Sequence, residues 1–195
     1  DLATASVPLK YSCWIFSGFL LAFAVKIPLF PFHTWQAPTY STAPMAGTML
    51  LSAIMLKMAL FGMIKWMIGL NQSALTYWQW PVIILGVIGI LYGAFIAMRE
   101  VNIRKVFAFA SISHLGLIAA GIMVFSLDSI QGSIIQMVNH SLIAIGLFLA
   151  AGIIEDRLGT TNLREMGGIA KIAPRFGFWF GVILFISLSV PMTAG

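Results

Sequence analysis

Residues 45–64 read MAGTMLLSAIMLKMALFGMI, a run long enough to cross a bilayer, and its single charge, Lys57, sits in its middle. A helical span takes roughly 20 apolar residues. A lysine near the midplane costs about +2.5 to +3.5 kcal/mol on insertion scales, and such residues mark ion pathways or pair with other polar groups. A lysine near a helix end avoids that cost by extending its amine to the interface. Lys65, close to the edge of the run, suits that description; Lys57 does not. Lys57 is therefore read as a functional group held at membrane depth.

The same reasoning extends along the chain. Apolar segments fall at about 11–29, 46–70, 82–98, 106–125, 132–154 and 176–192. Only 9% of residues are charged and 60% are hydrophobic, against about 25% charged in an ordinary soluble domain. The alternation of a transmembrane barrel strand is absent. Backbone groups in lipid must bond within their own segment. The expectation is an all-α, polytopic transmembrane helix bundle of about six spans, forming one membrane domain over 1–195. Pro8, Pro81 and Pro174 stand ahead of segments and read as helix starts, and Asp128 and Ser129 read as caps of the fifth.

The net charge of +5 does not point to nucleic acid, because the basic residues lie in short connections. Six alternating spans put Lys26, Arg99, Arg104, Lys105, Arg157, Arg164, Lys171 and Arg175 on one side and Lys10 and Lys65 on the other. The basic side is then the cytoplasm or its equivalent. The single cysteine, Cys13, excludes an internal disulfide and a cysteine metal cluster. The chain opens Asp1-Leu2-Ala3 and closes in or just after an apolar run, so it is expected to be the middle of a longer membrane protein.

Polar side chains cluster on two segments. Ser111 and His114 share a helix face, and Ser133, Gln136 and His140 share another with Asn139 beside it. In lipid such faces turn toward protein or water. Ser111, Ser133 and Asn139 read best as bonds between helices across small residues such as Gly116, Gly121 and Gly146. His114 and His140 read as proton carriers, since imidazole titrates near neutral pH. Burial disfavours the charged form of an amine, so a lysine at this depth can exchange a proton. Lys57, His114 and His140, with Lys26 and the Arg104–Lys105 pair nearer the basic side, outline a proton relay. The rival use of His33, His114 and His140 as zinc ligands lacks a short ligand spacing. Neither a phosphate-binding glycine loop nor a G-x-S-x-G nucleophile motif occurs.

Residues 25–62 (VKIPLFPFHTWQAPTYSTAPMAGTMLLSAIMLKMALFG), 102–116 (NIRKVFAFASISHLG), 131–148 (QGSIIQMVNHSLIAIGLF) and 156–174 (DRLGTTNLREMGGIAKIAP) together resemble the antiporter-like membrane subunits of respiratory complex I, NADH:quinone oxidoreductase, of the type called subunit M or chain 4. The wording around Pro28–Pro44 and the closing LSVPMTAG resemble Bacteroidota-type bacterial forms. The resemblance implies that Lys57 is a central proton carrier on a broken helix. It matches His114 to the histidine of S-[VI]-S-H, His140 to that of Q-M-x-x-H, and Lys26, Pro28, His33 and Trp35 to a lysine-proline and F-H-x-W pattern. The family's D-[IL]-K lysine falls at Arg104, with Lys105 one place on; arginine hardly deprotonates. After Trp35 the family carries leucine-proline-aspartate-alanine-histidine, whereas Gln36-Ala37-Pro38-Thr39-Tyr40 stands here.

The resemblance thus implies a proton-translocating subunit in a bacterial inner membrane, coupled to quinone reduction through Lys57, His114, His140, Lys105 and Arg104, with Lys26, His33, Ser111 and Gln136 in support. Its partners would be the lipid bilayer and other membrane subunits of a complex I-like assembly. NADH, FMN, iron–sulfur clusters and quinone would bind elsewhere, none in this chain. The alternatives are a subunit of a multisubunit sodium/proton antiporter or membrane-bound hydrogenase, and a purely structural membrane subunit.

Overall fold

A computed structural model describes residues 8–69 and 72–188, and among them no strand forms. Besides a 3₁₀ turn at Leu163–Glu165, eight helices follow in order among these residues: α1 Leu9–Lys26, α2 Gln36–Thr42, α3 Met45–Ile68, α4 Gln72–Arg99, α5 Ile103–Val124, α6 Leu127–Leu158, α7 Ile169–Ile172 and α8 Pro174–Ser187. Five of these (α1, α3, α4, α5, α6) are long and apolar enough to cross a membrane. The sixth segment appears as α8, which at 14 residues is shorter than a span; the rest of the segment to Met192 lies outside the described residues.

Two boundaries differ from expectation. Pro81 lies inside α4, not ahead of it. Proline removes one backbone donor, a loss that neighbouring helices and side chains make tolerable in membrane helices. The cap of α6 is Ser126, one turn earlier than expected: Ser129 N donates to Ser126 Oγ, and Ser126 N donates to Ser129 Oγ, both at 3.1 Å. Ser129 is the reciprocal partner in that capping box and Asp128 sits in the first turn.

The basic connections meet at one end. Asn102 Nδ2 donates to Thr161 Oγ1 at 2.8 Å, Ile103 N to Thr161 O at 3.0 Å and Leu163 N to Val101 O at 2.9 Å. These bonds join the α4–α5 connection to the chain after α6. The α1–α3 connection joins them through Arg104, whose Nη1 donates to Ala43 O at 2.8 Å. At the opposite end Gln79 Nε2 donates to Val124 O at 3.3 Å. The alternation of spans read from charge is therefore the observed one for these helices.

α4 and α5 cross closely. A Cβ on Gly86 would stand 2.8 Å from Gly116 O, and one on Gly93 2.7 Å from Phe109 O. Only glycine permits that approach. Gly89, between them, has open space beside it.

Two apolar clusters divide the interior. One, toward the less basic end, gathers Phe16, Leu56, Leu60, Met63, Leu115 and Ile122. The other, toward the basic end, gathers Tyr40, Phe107, Leu147, Phe148 and Ile154. The outward faces carry large apolar side chains such as Trp14, Leu91, Met98 and Phe178, as a lipid-facing surface requires.

Candidate functional site

α3 is continuous, but its hydrogen bonding is not uniform. Residues Leu51–Met55 and Met63–Ile68 are π-helical, and the α-helical stretch Leu56–Gly62 between them carries Lys57. The break implied by the family resemblance is thus a pair of widened turns within an unbroken helix. Widened turns leave carbonyls off the regular ladder and are frequent at functional sites. Here side chains engage two of them. Lys57 Nζ donates to Ser52 O at 2.6 Å, and Ser141 Oγ of α6 donates to Ala53 O at 2.9 Å. Ser141 therefore docks α6 onto the π turn, and its neighbour His140 is brought to the lysine.

Lys57 Nζ lies 2.7 Å from His140 Nδ1. The His140 residue is only 4% exposed. Its ring meets that of His114 at a centroid distance of 5.5 Å and an interplanar angle of 61°. Lys57, His140 and His114 therefore form a contiguous file across α3, α6 and α5. A small cavity with about 20 Å³ of room for water adjoins the two histidines, lined by Ser111, Gln136 and Ser187 among others. A site of that volume with several polar walls suits about one water. Gln136 also borders a wider crevice of about 350 Å³ between α5 and α6, lined by Ser129 and Ser133. That crevice runs toward the less basic end, where α6 begins.

The remaining expected residues fall elsewhere. Arg104, 8% exposed, is a clamp: its Nε donates to Glu155 Oε2 at 2.7 Å, its Nη2 pairs with the same carboxylate, and its Nη1 holds Ala43 O. Glu155 is fixed near the end of α6, which stops at Gly159 in the left-handed conformation (φ 70°), where Gly159 N donates to Glu155 O at 2.7 Å. Lys105 lies half-exposed beside Arg104, its backbone N held by Asn102 Oδ1. Lys26 is exposed in the last turn of α1, where a cation suits the helix dipole. Ser133 bonds to Ser129 O at 2.7 Å and reaches Ile118 O of α5 at 3.4 Å, the inter-helix role expected of it. Among the described residues no group of three His, Cys, Asp or Glu is placed to hold a metal ion.

His33 is buried apart from the file, in the α1–α2 connection, stacked on Phe30 and edge-on to Tyr92 at 4.6 Å between ring centroids. Burial lowers its pKa from the usual histidine value, so the ring is neutral at pH 7. Beyond it Gln36 and Tyr40, both 0% exposed, follow at helical spacing. Burial raises the Tyr40 pKa, so the phenol keeps its proton. Sequence reading missed Ser141, Gln36, Tyr40 and Glu155. Ser141 had no signal beyond adjacency to His140, whereas the polar Gln36 and Tyr40 departed from the family pattern and were the visible clue.

The sequence family described as NADH:quinone oxidoreductase/Mrp antiporter, TM, matches residues 5–195. NAD(P)H-quinone oxidoreductase chain 4-2 of Synechocystis sp. is 35% identical over 195 residues, covering 100% of this chain and 35% of that protein. The chloroplastic chain 4 of Chara vulgaris is 37% identical, again over 100% of this chain and 40% of its own length. The chain thus spans well under half the length of these relatives. Among solved structures, a chain of respiratory complex I from Thermus thermophilus superposes with TM-score 0.91 at 27% identity, covering 97% of this chain and 40% of that one. A chain of the Mrp complex from Dietzia sp. superposes with TM-score 0.83 at 26% identity over 88% of this chain and 32% of that one. With a helical bundle, a lysine at mid-span and two facing histidines in place, the chain belongs to the membrane-spanning NADH:quinone oxidoreductase/Mrp antiporter family.

Proposed function

We propose that this chain is part of a proton-translocating membrane subunit of a complex I-type NADH:quinone oxidoreductase. The observation that carries the reading is the 2.7 Å contact between Lys57 Nζ and His140 Nδ1, with His114 behind it. For His140 to accept at Nδ1, its neutral ring holds its proton on Nε2. Transfer then breaks an N–H bond on the lysine and forms one on His140 Nδ1, leaving an amine and an imidazolium; the imidazolium releases its Nε2 proton toward the His114 side. Ser52 O accepts from the nitrogen whether it is ammonium or amine, so the donor stays in place through the cycle.

Little force is needed to tip such a pair. A unit charge about 8 Å away, at an effective dielectric of about 20, changes the energy of a cation by roughly 2 kcal/mol. That is more than a tenfold change in protonation. Redox chemistry in partner subunits would supply the charge movement, with NADH, FMN, iron–sulfur clusters and quinone bound there. The setting is a bacterial inner membrane, with other membrane subunits packed on the exposed apolar faces.

Lys57→Met in the assembled complex, in sealed vesicles, tests the reading. Protons moved per quinone reduced should fall sharply with the complex still assembled; an unchanged ratio overturns it. The likeness to a Mrp complex chain supports a second reading, a sodium/proton antiporter subunit. Sodium-dependent proton exchange without co-purifying flavin and iron–sulfur proteins would favour that one.

A further inference from the structure

A groove of about 490 Å³ opens at the basic end of the bundle, between the last turns of α6, α7 and the start of α8. It shares no wall with the histidine cavity. Ile153, Ile169, Ile172, Ala173 and Phe176 make it apolar, and Arg157 is the charged residue in its wall. Ile172 is 83% exposed and Ile153 41%, so neither is covered by the bundle. The depth of the groove follows from helix length. α6 has 32 residues, about 48 Å at 1.5 Å per residue. The hydrocarbon of a bilayer is roughly 30 Å thick, and about 40–45 Å with its headgroup layers. Arg157, one residue from the end of α6, therefore stands at headgroup level, and Ile153, one turn earlier, at the edge of the acyl chains.

The charges around the groove are uncompensated. Exposed Lys171 and Arg175 adjoin the lining residues Ile172 and Phe176 in sequence. The carboxylates nearby are engaged elsewhere. Glu155 is held by Arg104. Glu165 accepts from Thr160 Oγ1 at 2.6 Å and from Asn162 Nδ2 at 2.8 Å. Asp156 is exposed and next to Arg157 in sequence, but it is not in the wall. Among the described residues no carboxylate pairs with Arg157, Lys171 or Arg175. An apolar trough at the acyl-chain edge thus ends at a free guanidinium at headgroup level.

We propose that this groove seats an acyl chain of an anionic phospholipid whose phosphate lies on Arg157, in the positive field of Lys171 and Arg175. The guanidinium fork matches two phosphate oxygens at once. Basic pockets between membrane helices on the cytoplasmic side suit anionic headgroups. Charge decides between a lipid and a protein occupant. An apolar helix of another subunit laid over the groove would bury a guanidinium that cannot release its proton and has no partner. A phospholipid brings both the hydrocarbon and the counter-charge, each at its own depth. A zwitterionic lipid carries a cation of its own toward Lys171 and Arg175, so the anionic class is preferred. The site depends on the membrane topology and not on the proton relay.

The test uses the full-length protein, with the subunits that copurify, in phosphatidylcholine nanodiscs. The probe is phosphatidylglycerol carrying a diazirine on the upper part of one acyl chain, and peptide mass spectrometry after illumination reads the site. Adducts should fall within 153–158 and 169–176. Unlabelled phosphatidylglycerol should compete about tenfold better than added phosphatidylcholine. Arg157→Gln should cut labelling about tenfold, and Ala173→Phe, which fills the trough, should abolish it. Arg164→Gln, at the same end but outside the groove wall, should leave it unchanged. Equal competition by the two lipids, or full labelling of Arg157→Gln, overturns the proposal. Labelling that survives Ala173→Phe reduces the effect to surface attraction and overturns it as well. So does displacement of the probe by millimolar glycerol phosphate, which would mark a site for free phosphate. Should the variants fail to fold, the unaltered protein decides through the position of the adducts and the lipid competition. No adduct in the groove means that protein covers it, and the proposal falls.

Discussion

Removing one half of the Arg104–Glu155 pair should cost more than removing both. Arg104 makes three contacts: two to the Glu155 carboxylate and one to Ala43 O. Its side chain is 10% exposed and that of Glu155 30%. Glu155→Met strands a guanidinium that cannot release its proton. For a fully buried pair that cost is about 3–5 kcal/mol, and the partial exposure of Glu155 brings it to roughly 2 kcal/mol. Arg104→Met frees a carboxylate already within reach of water, at about 1 kcal/mol, and drops the bond to Ala43 O for about 1 kcal/mol more. With both replaced, no charge is stranded and only the Ala43 bond is lost, again about 1 kcal/mol. The two single costs sum to about 4 kcal/mol, so the coupling is roughly 3 kcal/mol, more than a hundredfold in an equilibrium constant. The assay is a double-mutant cycle on the full-length subunit, measured by reversible denaturant titration in detergent. Additivity within about 0.5 kcal/mol would refute the clamp and leave Arg104 free for some other role.

Three further outcomes follow from the geometry. Ser141→Ala removes the bond from α6 to Ala53 O and should cost about 1 kcal/mol of stability; Ser141→Thr, which keeps the hydroxyl, should restore pumping lost in the alanine variant. Gly93→Val places a methyl-bearing carbon against Phe109 O and should separate α4 from α5, at about 1–3 kcal/mol, seen as a lowered Tm of the purified subunit. Phe148→Ala removes the ring between Tyr40 and Phe107 and should cost about 3–5 kcal/mol, read as a lowered denaturation midpoint of the purified subunit.

The spans were legible because lipid forces apolar runs of fixed length, and the even–odd alternation of charge around them survives any local irregularity. Lys57 was legible for the same reason: one cation in twenty apolar residues has no bland explanation. Pairing was less accessible. His140 and Lys57 are 83 positions apart, and no local pattern reports that a widened turn at Leu51–Met55 lets Ser141 dock between them. Pro81 misled because proline is a helix-start signal in water, where the lost hydrogen bond is not compensated by packed neighbours. Arg104 was visible as a substitution for a relay lysine, but its partner Glu155 lies 51 positions away, and no local pattern links the two.

The lacing of the basic connections sets how this bundle can deform. Asn102, Thr161, Arg104 and Ala43 tie three loops into one plate, whereas at the other end Gln79 Nε2 reaches Val124 O at the longer 3.3 Å. Helices anchored at one end swing like spokes from a hub, with displacement growing toward the untied tips. Tilting at the far tips is then a collective motion on microseconds to milliseconds. Deformation of such a body is therefore concentrated at the less basic end, while the basic end moves as one piece.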